Sequence, residues 1–344
     1  MQNFKSFRQL LEHPQKIVVI GHQKPDADAL GSSLGLGRYL AKKQHDVQVV
    51  MPTDYPQFLY WMEGNDEVLV YEGKQRPQVD RKVNEADIIC CLDFSSLNRI
   101  DDMEYVVRNA TAKKVVIDHH IGKEEFADYE MWNTSAAATC ELVYNLIIDM
   151  DDRNLIDAAT AECLYAGIMT DTGSFKHPNT TKAVHLIVAD LIELGAEASK
   201  VSKLVYDNNS LSRLRLTGYA LSEKLFVLPE YCTAYFVLTS DELNRFNSQN
   251  GDTEGLVNYA LSLKGIKMAA IIIDRGEKVK LSFRSIGNFA VNELAEKHFS
   301  GGGHKNAAGG ISSDNIQETV NKFLTLLPQY KKDLQEQITQ EIHA

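Results

Sequence analysis

The run Val115-Val116-Ile117 passes without a turn residue into Asp118-His119-His120. A short, unbroken β-branched run suits a parallel strand covered on both faces, where every position is apolar. Such a strand belongs to a layered α/β fold, and open α/β sheets bind ligands at the carboxyl ends of their strands. The triplet therefore stands where a site forms. Taken alone, it is also what a polar strand end with a capping His120 looks like, so the other strand ends must decide its meaning.

The same grammar occurs twice upstream. Residues 16–21, Lys-Ile-Val-Val-Ile-Gly, read as a first strand that stops at His22-Gln23-Lys24-Pro25-Asp26-Ala27-Asp28. Pro25 breaks regular structure, and Asp26 or Asp28 can cap the helix expected over 29–43. That helix carries Leu30, Leu34 and Leu40 on one side, and Gly31, Gly35 and Gly37 are expected to let it approach the sheet closely. Strands are expected at 47–51, 67–71 and 87–92, the last ending in Asp93-Phe94-Ser95-Ser96. Helices follow over 136–148 and 154–169, the second leading into Asp171-Thr172-Gly173. Helical periodicity then runs from 181 to about 228 and closes at Pro229.

The resulting expectation is an α/β chain in two parts. Residues 1–207 form a domain with a mainly parallel sheet flanked by helices, and 208–229 a helical linker. Residues 230–330 form a smaller α/β domain with a mixed sheet, 331–344 a polar tail, and the active-site cleft lies between the domains. In the second domain a strand is expected at 233–238, a hairpin of 268–273 with 279–283, and a helix at 291–298. That helix meets Ser300-Gly301-Gly302-Gly303-His304.

Composition excludes several function classes. A net charge of −11 argues against a long-duplex nucleic-acid binder, which neutralises many phosphates with Lys and Arg. The charge is uneven: residues 261–310 hold eight Lys or Arg against four acids, a local +4 that leaves −15 for the rest of the chain. A small anion fits that window. No run approaches the roughly eighteen apolar residues a membrane span requires, and residues 1–5 lack a secretory pattern. Cys90, Cys91, Cys140, Cys163 and Cys232 lack metal-ligand spacing and read as buried hydrophobes of a reducing, cytoplasmic compartment. Trp61 reads as core.

The polar strand ends together supply His22, Asp26, Asp28, Asp93, Asp118, His119, His120 and Asp171. Carboxylate and imidazole donors suit Mn²⁺, Fe²⁺, Co²⁺ or Zn²⁺, with Mg²⁺ also allowed, and the missing cysteine ligands argue against a structural zinc. So many carboxylates at one place repel unless cations neutralise them. The set exceeds one coordination shell, which points to two ions about 3.5–4 Å apart. Asp93, alone on a central strand, is the natural bridge.

In order, His22-x-x-x-Asp26-x-Asp28-Ala29-Leu30-Gly31-Ser32, Asp93-x-Ser95, Asp118-His119-His120 and Asp171-Thr172-Gly173 resemble the motifs of the DHH phosphoesterase superfamily. Phe283-Arg284-Ser285 and Gly301-Gly302-Gly303-His304 resemble its C-terminal DHHA1 domain. The resemblance spans roughly residues 16–326 and is strongest to the nanoRNase and pAp-phosphatase type. It implies that His22, Asp26 and Asp93 hold one Mn²⁺, and that Asp28, Asp93, His119 and Asp171 hold the other. It further implies that Asp118 orients His119 from behind, as carboxylates do for metal-bound imidazoles, while His120 faces the substrate phosphate.

The glycine run can expose backbone N–H groups to an anion, with Arg284 and His304 adding charge or donors. The resemblance gives Arg284, Gly301, Gly302, Gly303 and His304 the far end of the substrate, which limits substrate length. The implied partners are short oligonucleotides, dinucleotides or pAp; a homodimer is also allowed. The implied reaction is hydrolysis of nanoRNA from an end, of pAp to AMP and phosphate, or of both. Rival readings are a pApA phosphodiesterase, an exopolyphosphatase, and a metal-dependent nucleotide-binding regulatory module without catalysis.

Overall fold

Ile17-Val18-Val19-Ile20 is apolar at every position because both faces of its strand are covered. A computed structural model describes residues 3–207, 209–249 and 251–341 of the chain, which divides into two units at 208/209. In the first unit the strands are β1 (Lys16–Ile20), β2 (Asp46–Met51), β3 (Leu69–Val70), β4 (Ile88–Leu92), β5 (Lys113–Asp118) and β6 (Tyr129–Trp132). They form one sheet in the order β3-β2-β1-β4-β5-β6, parallel throughout. The helices are α1 (Phe4–Leu10), α2 (Ala27–Lys42), α3 (Arg76–Glu85), α4 (Glu104–Asn109), α5 (Thr139–Asp149), α6 (Ala158–Asp171), α7 (Lys182–Glu193) and α8 (Ala198–Tyr206).

Pleating divides each apolar run between two cores. Ile17, Val19, Cys90, Val115 and Ile117 pack with α2, α5 and α6, and Trp61 lies half-buried against the same core. Val18, Ile20, Ile89, Cys91 and Val116 pack on the other face with Val79 and Val83 of α3 and Val107 of α4. The chain winds outward from β1 to β3 and returns to β4, so the strand order reverses between β1 and β4. That reversal opens a crevice at the strands' carboxyl ends. His22 follows β1 and Asp93 follows β4.

The expected helix at 29–43 begins two residues earlier, and its glycines act differently from the expectation. A Cβ on Gly31 would overlap the Cys163 carbonyl, and one on Gly35 would press on Leu164, both in α6. Only Gly37 faces the sheet, against Val49. Gly31 and Gly35 thus let α2 lie close to α6, the helix that ends in Asp171. Gly31→Ala should lower stability by about 1–2 kcal/mol, overpacking against backbone outweighing the better helix propensity of Ala. A thermal melt would register this as a drop of a few degrees; an unchanged or higher Tm would refute the packing argument.

In the second unit the elements are α9 (Leu211–Glu223), β7 (Leu225–Leu228), β8 (Thr233–Leu238), α10 (Ser240–Arg245), α11 (Leu256–Leu261), β9 (Met268–Asp274) and β10 (Val279–Ser285). They are followed by α12 (Val291–His298), β11 (Gly302–His304), β12 (Ala307–Ser312) and α13 (Ile316–Glu341). The sheet runs β11-β12-β10-β9-β8-β7 and is mixed, with β8 and β9 parallel and the other neighbours antiparallel. The expected hairpin and the helix at 291–298 are present. The helix expected to reach 228 stops at Glu223, because Leu225–Leu228 gains a full ladder against β8. Of the expected tail at 331–344, residues to Glu341 continue α13, with Leu334 buried in the core, and 342–344 lie outside the described residues.

All five cysteines are free and buried, and burial pushes their thiols above the ordinary range. Among the described residues, no helix is long and apolar enough to cross a membrane.

Candidate metal centre

Each donor of the first unit is set by the element it terminates or begins. His22, buried just after β1, donates Nδ1–H to the Gln23 carbonyl at 2.8 Å. Its Nε2 then faces Asp93 Oδ2 at 3.3 Å and Asp26 Oδ2 at 3.9 Å. Asp26 caps α2, its Oδ1 accepting from the backbone N–H groups of Asp28 and Ala29 at 3.0 Å each, which leaves Oδ2 toward His22. Asp28 is not a cap of its own helix. It is fully buried and accepts from the N–H groups of Thr139 at 2.6 Å and Cys140 at 2.9 Å, at the start of α5.

Asp93 holds a left-handed backbone, φ 64°, immediately after β4. A residue other than glycine in that region costs energy, and such strain gathers at functional sites. The turn aims one carboxylate into both halves of the centre. Oδ2 meets His22, while Oδ1 accepts from the Thr139 hydroxyl at 2.8 Å and lies 3.5 Å from His119 Nε2. His119 donates Nδ1–H to the Ala136 carbonyl at 3.2 Å, and its Nε2 also stands 3.4 Å from Asp171 Oδ2 and 3.8 Å from Asp28 Oδ2. Asp171 is the last residue of α6.

The expected support of His119 by Asp118 is not what the structure shows. Asp118 Oδ1 accepts from His120 Nδ1–H at 2.8 Å, whereas the Ala136 carbonyl supports His119. The reason is periodic: in extended chain, residues two apart share a side and adjacent residues do not. Burial opposes the charge on Asp118, but the hydrogen bond from His120 holds its carboxyl below the usual range. A carboxylate there only accepts, so Nδ1 carries the proton of the hydrogen bond and Nε2 is the ring nitrogen that Asp118 does not engage.

Among the described residues of the first unit, a pair of donor groups, His22 with Asp26 and Asp93 and Asp28 with His119 and Asp171, stands beside a third, Asp93 with Asp118 and His120, in which His120 is already hydrogen-bonded to Asp118; within each, ligand atoms lie within 4.8 Å of one another. Donors bound about 2.1 Å from one ion stand roughly 3.0–3.4 Å apart, so the 3.3–3.5 Å contacts fit a shared cation. Electrostatics agree. Burial, with Asp93 and Asp171 close by, drives Asp28 well above the carboxylate range, and burial raises Asp171 to about 6. Burial opposes a charge on His119, yet Asp171 and Asp93 bring it to about 12. Burial also opposes a charge on Asp93, yet His119 and His22 keep it well below the usual range. Such a cluster binds positive charge strongly, and its donor set fits divalent cations.

Thr139 and the carbonyl of Ala136 escaped the sequence reading, although a threonine opening an apolar helical run is a recognisable helix-start signal. So did β6, which pairs Trp132 with Asp118.

In the second unit, Arg284 lies on β10 opposite Ala307, and His304 on β11 is opposite the same Ala307. Directly opposed residues share a face, so the two side chains point the same way, roughly 9–10 Å apart at their backbones. The glycine run is a sheet edge rather than an open loop. A Cβ on Gly301 would overlap the Gly309 carbonyl, and one on Gly303, at φ 144°, would press on Ala307 and Ala308. Packing therefore accounts for Gly301 and Gly303. Gly302 has ordinary contacts, with only Glu296 near.

Comparison with known proteins places this geometry in a family. Residues 16–168 match the DHH family, N-terminal domain, and residues 230–333 match the DHHA1 domain. A crystal structure of an exopolyphosphatase-related protein from Bacteroides fragilis is similar with a TM-score of 0.93 and 38% identity, covering 96% of this chain and 97% of that one. A bifunctional oligoribonuclease and PAP phosphatase, NrnA of Bacillus subtilis, is 28% identical over 92% of this chain and 96% of its own length. RecJ from Thermus thermophilus, in complex with Mn²⁺, shares the fold, with a TM-score of 0.51 and 16% identity over 99% of this chain and 55% of its own. With its six-stranded parallel sheet, its carboxylate and imidazole centre and both domain matches in order, the chain belongs to the DHH phosphoesterase family and carries a DHHA1 domain.

Proposed function

We propose that this protein is a two-metal phosphoesterase that hydrolyses short oligonucleotides from an end, pAp to AMP and phosphate, or both. The observation that carries the reading is the pair of donor groups meeting at Asp93 in the β1/β4 crevice. His22, Asp26 and Asp93 would hold one divalent ion, and Asp28, Asp93, His119 and Asp171 the other, with Mn²⁺ the best fit to the mixed oxygen and nitrogen donors. Ions held there supply an activated water at neutral pH and positive charge for the phosphate. His120 Nε2, its ring fixed by Asp118, donates a hydrogen bond to the phosphate or a proton to the leaving oxygen as the ester bond breaks. Arg284 and His304, on one face of the second sheet, with Gly302, are the substrate-binding residues of this reading. The activities for which the Bacillus subtilis relative is named support the nucleotide substrates.

The likeness to the exopolyphosphatase-related protein of Bacteroides fragilis favours a second reading, an exopolyphosphatase. One assay separates them. With Mn²⁺ present, pAp, pApA and a five-nucleotide RNA should release mononucleotide, and a chelator should abolish release. Cleavage of polyphosphate alone would replace the nucleotide reading with the second one. Nucleotide binding without turnover under any divalent ion would instead make the protein a binding module.

A further inference from the structure

Two large apolar side chains of the first unit stand in solvent beside its most polar region. Ile121, directly after His120, is 55% exposed, and Trp132, at the end of β6 and in register with Asp118, is 41% exposed. A single exposed apolar residue needs no explanation. Trp132, however, is held in place. Its Nε1–H donates to the His120 carbonyl at 2.7 Å, and Lys123 Nζ lies over the ring, 5.6 Å from its centroid. Lys123 is in turn held by Glu130, a buried residue of the same strand, at 2.9 Å and by Glu125 at 3.0 Å. An indole fixed through its polar edge and by a cation, yet left open over much of its area, is preorganised to receive a flat apolar partner.

We propose that Trp132 is a nucleobase-stacking residue, receiving the base of the nucleotide whose phosphate meets His120. The proposal rests on the nucleotide reading given above and adds how the base is held. The indole is anchored to the backbone of the same residue whose imidazole addresses the phosphate, so base and phosphate of one nucleotide are engaged by adjoining groups. Every base has a π-face, so such a platform tolerates sequence, and larger purines gain more from it than pyrimidines.

The test compares pApA with a 5′-phosphorylated dinucleotide of identical backbone lacking both bases, using the full chain with Mn²⁺. For pApA, Trp132→Ala should raise KM on the order of tenfold, with kcat and the abasic compound changed by no more than about twofold. Trp132→Phe, which keeps a ring but not the Nε1–H, should restore most of the KM. Equal losses on both compounds overturn the proposal. So does a fall in kcat shared by the Ala and Phe variants, which would make the indole a support for the His120 backbone. Those results leave the nucleotide reading intact. A wild-type enzyme that cleaves polyphosphate but not pApA removes that reading, and the stacking role with it.

Discussion

Asp93→Asn should leave the fold standing while removing metal and activity together. Bound divalent metal is expected to fall from two ions per chain to at most one, and kcat by about 10³-fold or more, since each ion supplies several kcal/mol of transition-state stabilisation. Asparagine is the informative replacement because it tolerates the left-handed backbone at φ 64°, where alanine would add strain of about 1–2 kcal/mol. What the variant loses is a charge placed in both halves of the centre, 3.3 Å from His22 Nε2 through one oxygen and 3.5 Å from His119 Nε2 through the other. In the metal-free protein burial opposes the Asp93 charge, yet His119 and His22 hold its carboxyl well below the usual range, so that charge stabilises the fold and the metal-free variant should melt somewhat lower than wild type. Metal analysis, turnover and a melt with and without chelator decide the matter. Two retained ions with near-normal turnover would show that Asp93 does not bridge.

That centre could be read from the sequence because its donors follow a rule that sequence displays. His22, Asp93 and Asp118-His119-His120 each interrupt a run that is apolar throughout, and runs of that kind mark the covered strands of a parallel sheet. What positions the donors was less legible, since it depends on which elements touch. Gly31 and Gly35 announce a close approach without saying to what, and the partner proves to be α6 rather than the sheet. Tyr129–Trp132 has no alternating or β-branched pattern; it becomes a strand by pairing with the otherwise open edge of β5. Leu225–Leu228 is a four-residue apolar run directly after a helix, too short for periodicity to assign. Gly301 and Gly303 suggest an anion cradle, and only the packing of β11 on β12 shows that both are needed for the sheet edge itself.

The largest effect expected without loss of metal is that of His120→Ala, which should lower kcat by about 10²–10⁴ while both ions remain bound. A matching loss of metal would make His120 a ligand and dissolve the division of roles between the two histidines. The same experiment tests the placement of Asp118. Because its carboxylate accepts from His120 Nδ1–H at 2.8 Å and His119 is held by the Ala136 carbonyl, Asp118→Asn should act through His120. Asparagine keeps an acceptor but not the charge, so its cost should be smaller, on the order of 10- to 100-fold in kcat, again with metal retained. Residues that act as a unit lose their effect once, so the double variant should be no slower than His120→Ala alone. Had Asp118 served His119, the opposite pattern would follow. Asp118→Asn would then loosen one ion, and its cost would multiply with that of His120→Ala. The first pattern is the one expected from the 2.8 Å hydrogen bond between His120 and Asp118.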